Sequence, residues 1–224
     1  MTAFALKLIA ATTMLIDHIG HVYWPLTPFY FRLIGRVAFP IFAYLVAEGC
    51  RHTTNLNRYL LRLGLFALIS HIPFYMVFGP QHINVFYTLF LGVACVSLYE
   101  KLKLWPFVAA LAPLPIVLAG SLLGDWLNSD FGSIGVPLIF ILYLAETKRG
   151  RLFVLAGGMA LQYGLRLLDP FVPNIQGMQV LIFSLFAVVL LCFYNGRLGR
   201  KVKWGFYLFY PLHLAILGLL NHLA

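Results

Sequence analysis

The chain alternates long apolar stretches with short polar connections. Runs of roughly 17–20 apolar residues recur from Phe4 to the C-terminus, each long enough as a helix to cross a hydrocarbon core of about 30 Å. About nine spans are predicted: Phe4–Val22, Phe29–Gly49, Tyr59–Phe78, Ile83–Tyr99, Leu104–Leu123, Gly132–Glu146, Leu152–Leu168, Met178–Tyr194 and Gly205–Leu220. The sixth is the shortest. Pro25 and Pro28 in the first connection would suit a partly re-entrant turn. Only Met1–Ala3 precede the first stretch, which has no basic n-region and carries Asp17 and His18, so it reads as a retained helix rather than a cleaved signal peptide. The pattern predicts an all-α fold, a polytopic transmembrane helix bundle forming one integral membrane domain over residues 1–224.

Composition agrees with the pattern. The 224 residues are 62% apolar and 10% charged, whereas a soluble domain carries about a quarter charged residues. A net charge of +9 would suggest nucleic acid as the partner of a soluble protein. Here the positions of the cations give another reason for it. Arg51, Arg58 and Arg62 follow span two, and Lys101 and Lys103 follow span four. Lys148, Arg149 and Arg151 follow span six, and Arg197, Arg200, Lys201 and Lys203 follow span eight. Twelve of the sixteen Lys and Arg residues thus occupy alternate connections, the signature of cytoplasmic loops. The N-terminus is then inside and the C-terminus outside. The expected setting is a multi-pass protein of a cell membrane, the bacterial cytoplasmic membrane, with lipids rather than nucleic acid around it. Cys50, Cys95 and Cys192 are isolated and suggest neither a disulfide framework nor a metal motif.

Ionisable side chains at membrane depth are costly and mark candidate sites. In this topology they gather toward the outer half. Asp17, His18 and His21 end span one, and Arg32 and Arg36 begin span two. His71 lies late in span three, and His82, Asn84 and Tyr87 begin span four. Asp125 and Asp130 follow span five, and Arg166 and Asp169 end span seven. A purely structural account would pair Asp17 with Arg36 and Arg166 with Asp169. The spacing also supports chemistry. His21 can share a helix face with Asp17 or His18, and Arg32 and Arg36 are one turn apart. A carboxylate beside an imidazole raises its basicity, as a general base requires. Paired arginines can hold a phosphate, a carboxylate or a developing oxyanion. These are parts for acyl or group transfer.

Other chemistries fit less well. Asp17, His18 and His21 are all zinc-ligand types, but neighbours on a helix point about 100° apart, unlike the two His of H-E-x-x-H, so no metal is predicted. Ser70, Ser121, Ser129 and Ser133 lack a G-x-S-x-G setting. Glu48 is spaced to pair with Arg51. His213, within Tyr210-Pro211-Leu212-His213, either bonds a carbonyl freed by the proline or serves a site. A proton-coupled transporter or channel would also use intramembrane Asp, His and Arg, although no internal repeat of these blocks is visible. A non-catalytic membrane assembly factor is a third class.

Three segments resemble the TraX family, the pilin N-acetylase-like membrane acetyltransferases. They are Leu6–Gly20 with Asp17-His18, Arg32–Ala43 with Gly35-Arg36-Val37-Ala38-Phe39-Pro40, and Phe209–Gly218 with Tyr210-Pro211-Leu212-His213. Asn84–Leu89 and Gly132–Leu138 look similar and are less distinctive. The helix-one His and the Tyr-x-x-His of the last helix are also similar to the larger O-acyltransferase families that modify extracytoplasmic glycans. The resemblance implies transfer of an acetyl group from acetyl-CoA to an amine or hydroxyl of an extracytoplasmic protein, glycan or lipid. It implies Asp17 and His18 as the catalytic pair, with Arg36 and His213 lining the site. In this reading His18, oriented by Asp17, deprotonates the acceptor or briefly carries the acetyl group. Arg32 and Arg36 bind the acyl donor or the oxyanion, with His71, Asn84, Tyr87, Tyr210 and His213 as further binding groups. Arg51, Arg58 and Arg62 on the inner side would hold the nucleotide phosphates by charge.

Overall fold

The structure is a computed structural model and describes residues 1–164 and 174–223. The named elements among these residues are all helices. Five have the length and hydropathy of a membrane crossing: Ala3–Val22, Tyr30–His52, Val85–Leu102, Ile175–Cys192 and Trp204–His222. The expected third span is two helices, Leu56–Ile69 and His71–Phe78, bent by 44° at Ser70, and it makes a sixth crossing if the pair counts as one. The expected fifth span is broken at Ala112 into Pro106–Leu111 and Pro113–Trp126. Pro113 has no N–H to continue the first helix and instead starts the second, where its fixed φ is favourable. The expected sixth span is a helix of 13 residues, Gly132–Leu144, which rises only about 20 Å.

The chain forms two compact units. The first comprises Met1–Phe42 and Leu152–Ala224, the second Ala43–Arg151. The first unit contains α1 (Ala3–Val22), α2 (Tyr30–Gly35) and the opening residues of α3 (Ala38–His52). The helices between Leu56 and Leu144 belong to the second unit. The first resumes with all but the opening turn of α10 (Lys148–Gly164), then α11 (Asn174–Cys192) and α12 (Lys203–Leu223).

The first turn of α1 is tied down through its backbone donors. Ala3 and Phe4 donate to the carbonyls of Arg197 and Leu198, at 2.8 and 3.0 Å. The Thr2 hydroxyl accepts from Ala5 N–H at 3.3 Å, so donors that a helix start leaves orphaned are satisfied. Leu6, Ala10, Met14, Asp17 and His18 are buried at the three- and four-residue spacing of one helix face. α1 packs against α2 and α12. On α12, Tyr210, His213, Leu214 and Leu217 are buried, whereas Leu208, Leu212, Ile216 and Leu219 are exposed. The two stripes lie on opposite faces, as expected of a helix with protein on one side and hydrocarbon on the other. Asp17, His18 and His213 are therefore carried on buried faces.

In the second unit α4 (Leu56–Ile69) and α5 (His71–Phe78) precede α6 (Val85–Leu102), with α7 (Pro106–Leu111), α8 (Pro113–Trp126) and α9 (Gly132–Leu144) following. α6 packs on α4, α8 and α9. The end of α8 meets the start of α9 at two glycines. A Cβ on Gly124 would lie 2.5 Å from the Gly132 carbonyl oxygen, and one on Gly132 equally close to that of Gly124. Only glycine fits on either side of such a backbone contact.

Candidate functional site

His18 of α1 and His213 of α12 are both buried. Nδ1 of His18 lies 2.8 Å from Nε2 of His213. The ring centroids are 5.0 Å apart with an interplanar angle of 11°, the geometry of two imidazoles joined edge to edge in one plane. Nδ1 of His213 is 2.7 Å from the Phe209 carbonyl oxygen, one turn earlier on α12. The Phe209 ring stacks on His213 at 4.7 Å. Tyr210 presents an edge-on contact to both imidazoles, at 5.5 Å to His213 and 6.1 Å to His18. A row of carbonyl, imidazole and imidazole thus crosses from α12 to α1. His213 holds a backbone carbonyl, that of Phe209 rather than the Tyr207 carbonyl that Pro211 frees, and meets His18 through its other ring nitrogen.

The Asp17 carboxylate meets the arginines of the structural account rather than His18. Its carboxylate accepts from Nη2 of Arg36 at 2.9 and 3.1 Å. Nη1 of Arg32 lies 3.0 Å from the same carboxylate and donates to the Asp17 backbone carbonyl at 3.1 Å. Nε of Arg36 donates to the Arg32 carbonyl at 3.1 Å, locking the two arginines in series. The expected orientation of His18 by Asp17 is therefore corrected: the partner at Nδ1 is His213. Consecutive residues on α1 diverge by about 100°, which sends Asp17 to α2 and His18 to α12. The pairing of Asp17 with Arg36 foreseen from the sequence is present. Gly35 makes it fit, because a Cβ there would lie 2.1 Å from Asp17 Cβ and 2.4 Å from its Cγ.

Arg32 and Arg36 also line an open cavity of about 230 Å³, with Phe29, Tyr163, Gln176, Gly177 and Val180. Their side chains retain 29% and 19% exposure. They can meet a ligand while bound to Asp17. His21, in the last turn of α1, is exposed.

The remaining expected residues lie in the second unit. His71 is exposed and half-buried Tyr87 makes an edge-on ring contact with it at 6.1 Å. Asn84 is fully buried and structural in its bonding. Its Oδ1 caps α6 by accepting from Phe86 N–H at 3.0 Å, and its Nδ2 donates to the Ala67 carbonyl of α4 at 2.9 Å. Arg51 donates to the carbonyls of Tyr143 and Ala145 at the C-terminal end of α9, the latter at 2.6 Å. It closes a helix end rather than pairing with Glu48 as expected. Glu48 instead meets Arg151 at 2.8 Å and His52 at 3.3 Å. Arg58 is exposed, and Arg62 lies over the Tyr59 ring at 5.6 Å. Arg166 and Asp169, the other expected ion pair, lie outside the described residues. Among the described residues no three His, Cys, Asp or Glu side chains converge as metal ligands.

Three roles come from the structure alone: the steric one of Gly35, the Phe209 carbonyl as partner of His213, and Arg151 as partner of Glu48. Gly35 stood in plain view beside Arg36. Phe209 lies four residues before His213, the spacing that aligns a side chain with a backbone carbonyl on one helix face. Arg151 had no local signal, since its partner is far away in the chain.

Residues 3–221 match the family whose model is described as TraX protein. Similar proteins include the probable fimbrial assembly protein FimC, serogroup H1, of Dichelobacter nodosus, 29% identical over 243 residues that cover 96% of this chain and 94% of that protein. Protein TraX of Escherichia coli is 27% identical over 221 residues, covering 96% of this chain and 85% of that protein. No solved structure matches.

Proposed function

The chain belongs to the TraX family, and on that premise we propose that it is a membrane-embedded acetyltransferase. It takes acetyl from acetyl-CoA and places it on an amine or hydroxyl of an envelope acceptor. The observation that carries the reading is the buried His18, hydrogen-bonded through one ring nitrogen to His213 beside an arginine-clamped carboxylate. An imidazole held in this way can act as general base or carry the acetyl group, a role ordinarily worth about 10²–10⁴-fold in rate. Arg32 and Arg36 border the cavity and supply fixed positive charge for the donor carbonyl as it becomes an oxyanion. The name of the Dichelobacter relative, a fimbrial assembly protein, supports a surface-fibre subunit as one acceptor class.

The placement of the cations supports nine crossings of the bacterial cytoplasmic membrane with the N-terminus inside, the shorter helices of residues 106–164 included. Arg51 is engaged by α9 carbonyls, so attraction of the nucleotide phosphates falls to Arg58 and Arg62. Detergent-purified protein incubated with labelled acetyl-CoA tests the reading. Donor hydrolysis or self-acetylation that disappears in His18→Gln is expected. Undiminished turnover in that variant, correctly inserted, would overturn it. So would uptake into liposomes without any turnover, which is the behaviour of a transporter.

A further inference from the structure

The acceptors in the imidazole row determine where its protons are. The Phe209 carbonyl can only accept, so the hydrogen in its 2.7 Å contact with His213 sits on Nδ1 of the imidazole. A neutral His213 protonated at Nδ1 has its lone pair on Nε2. That atom is 2.8 Å from Nδ1 of His18, so His18 is the donor and carries its proton at Nδ1. The lone pair of a neutral His18 is then on Nε2. Reversing the polarity would require a doubly protonated His213, a charge buried against the Phe209 and Tyr210 rings.

We propose that His213 is the positioning residue of this site. With the Phe209 carbonyl it holds His18 as the Nδ1–H tautomer, which makes Nε2 of His18 the reacting atom. Neutral histidine in water favours the opposite tautomer, so the pairing does work that solvent would not. Asp17, the residue expected to orient His18, is held instead by the arginines. The role of an orienting carboxylate passes to a second imidazole, with a carbonyl behind it.

The kinetic consequence rests on the acetyltransferase reading; the tautomer does not. In the transfer step, Nε2 of His18 takes the proton of the acceptor N–H or O–H as the acceptor atom bonds to the thioester carbon. The carbonyl π pair moves to oxygen, and its return expels the CoA thiolate. The proton then passes from Nε2 to sulfur, leaving acetylated acceptor, free thiol and His18 as it began. While His18 is protonated, its Nδ1–H still points at Nε2 of His213. The charge can be shared along the row toward the Phe209 oxygen.

Two measurements test the proposal. ¹⁵N-histidine NMR of the purified full chain, with the His18 signals identified by their loss in His18→Gln, is expected to show Nδ1 protonated and Nε2 bare. A protonated Nε2 with a bare Nδ1 would overturn the proposal whatever the protein catalyses. In the acetyl-transfer assay, His213→Leu is expected to lower kcat by about 100-fold with little change in KM for acetyl-CoA. His213→Gln, whose amide oxygen can accept from Nδ1 of His18, should recover about tenfold of that loss. His213→Asn keeps a donor for the Phe209 carbonyl but offers His18 nothing, and should resemble His213→Leu. Equal kcat in His213→Leu and the unsubstituted chain would overturn the positioning role. A chain that transfers no acetyl at all defeats the function proposed above, while the ¹⁵N spectrum still decides the tautomer.

Discussion

Replacing Gly35 by alanine is the smallest change that reaches the centre of the first unit. The added methyl would sit 2.1 Å from Asp17 Cβ, 2.4 Å from its Cγ and 2.6 Å from its Oδ1. Ordinary carbon–carbon contact is at about 3.5–4.0 Å, so α1 and α2 must part locally by about 1.5 Å, or Asp17 must swing out of the arginine clamp. Backbone and β-carbon cannot give way as the tip of a flexible side chain could. Overpacking of this kind costs about 1–3 kcal/mol. In a chain of this size that corresponds to a fall in Tm of about 3–10 °C. The functional effect should be larger, since a misplacement of about 1 Å in a reacting constellation can cost about 10²-fold in rate. Thermal unfolding in detergent and labelled acetyl transfer, measured on one preparation, read the two effects. Gly157→Ala is the matched control: it lies within α10, and an added Cβ meets nothing within 4 Å. It should stabilise by up to about 1 kcal/mol through helix propensity. A Gly35→Ala protein with unchanged Tm and transfer rate would refute the close approach of α1 and α2 and the importance of the clamp.

Further outcomes follow from the second unit. Arg151→Leu leaves the buried Glu48 carboxylate with the His52 imidazole at 3.3 Å in place of a guanidinium (the Arg151 and Glu48 side chains are 13% and 11% exposed) and should cost about 3 kcal/mol, read as a Tm lower by about 10 °C. The double variant Glu48→Leu/Arg151→Leu should be closer to the unsubstituted chain than Arg151→Leu is, because no buried charge remains. Arg58→Gln/Arg62→Gln should raise the KM for acetyl-CoA and weaken its salt dependence while leaving Tm nearly unchanged. Arg51→Gln should instead lower Tm, since it uncovers the carbonyls at the end of α9.

Much of this was legible in the chain because it is local. The apolar residues of α1 recur at helical spacing, and Asp17, His18, Arg32, Arg36 and His213 stand out against an apolar background. The Asp17–Arg36 pair could be foreseen from opposite charges on neighbouring stretches. What could not be read is which side of a helix meets which neighbour. Asp17 and His18 are adjacent in sequence, and adjacency suggested a dyad, yet helical rotation assigns them to different helices. Span lengths were overestimated where apolar content concealed a break. Leu104–Leu123 is hydrophobic enough to cross, but Pro113 divides it into two short helices. Arg51 and Glu48 sit three residues apart, which made a pair plausible. Their partners, the α9 carbonyls and Arg151, are separated from them by about a hundred residues and left no local trace.

The two imidazoles are 195 residues apart, on α1 and α12. During synthesis at about 5–20 residues per second, roughly 10–40 s separate their emergence from the ribosome. Throughout that interval His18 has been translated without the ring that fixes its proton. A nascent chain stalled or cut before α12 therefore carries half of a paired centre, however well its earlier helices have inserted. Pairing of the two imidazoles therefore waits for the synthesis of α12, long after α1 has been made.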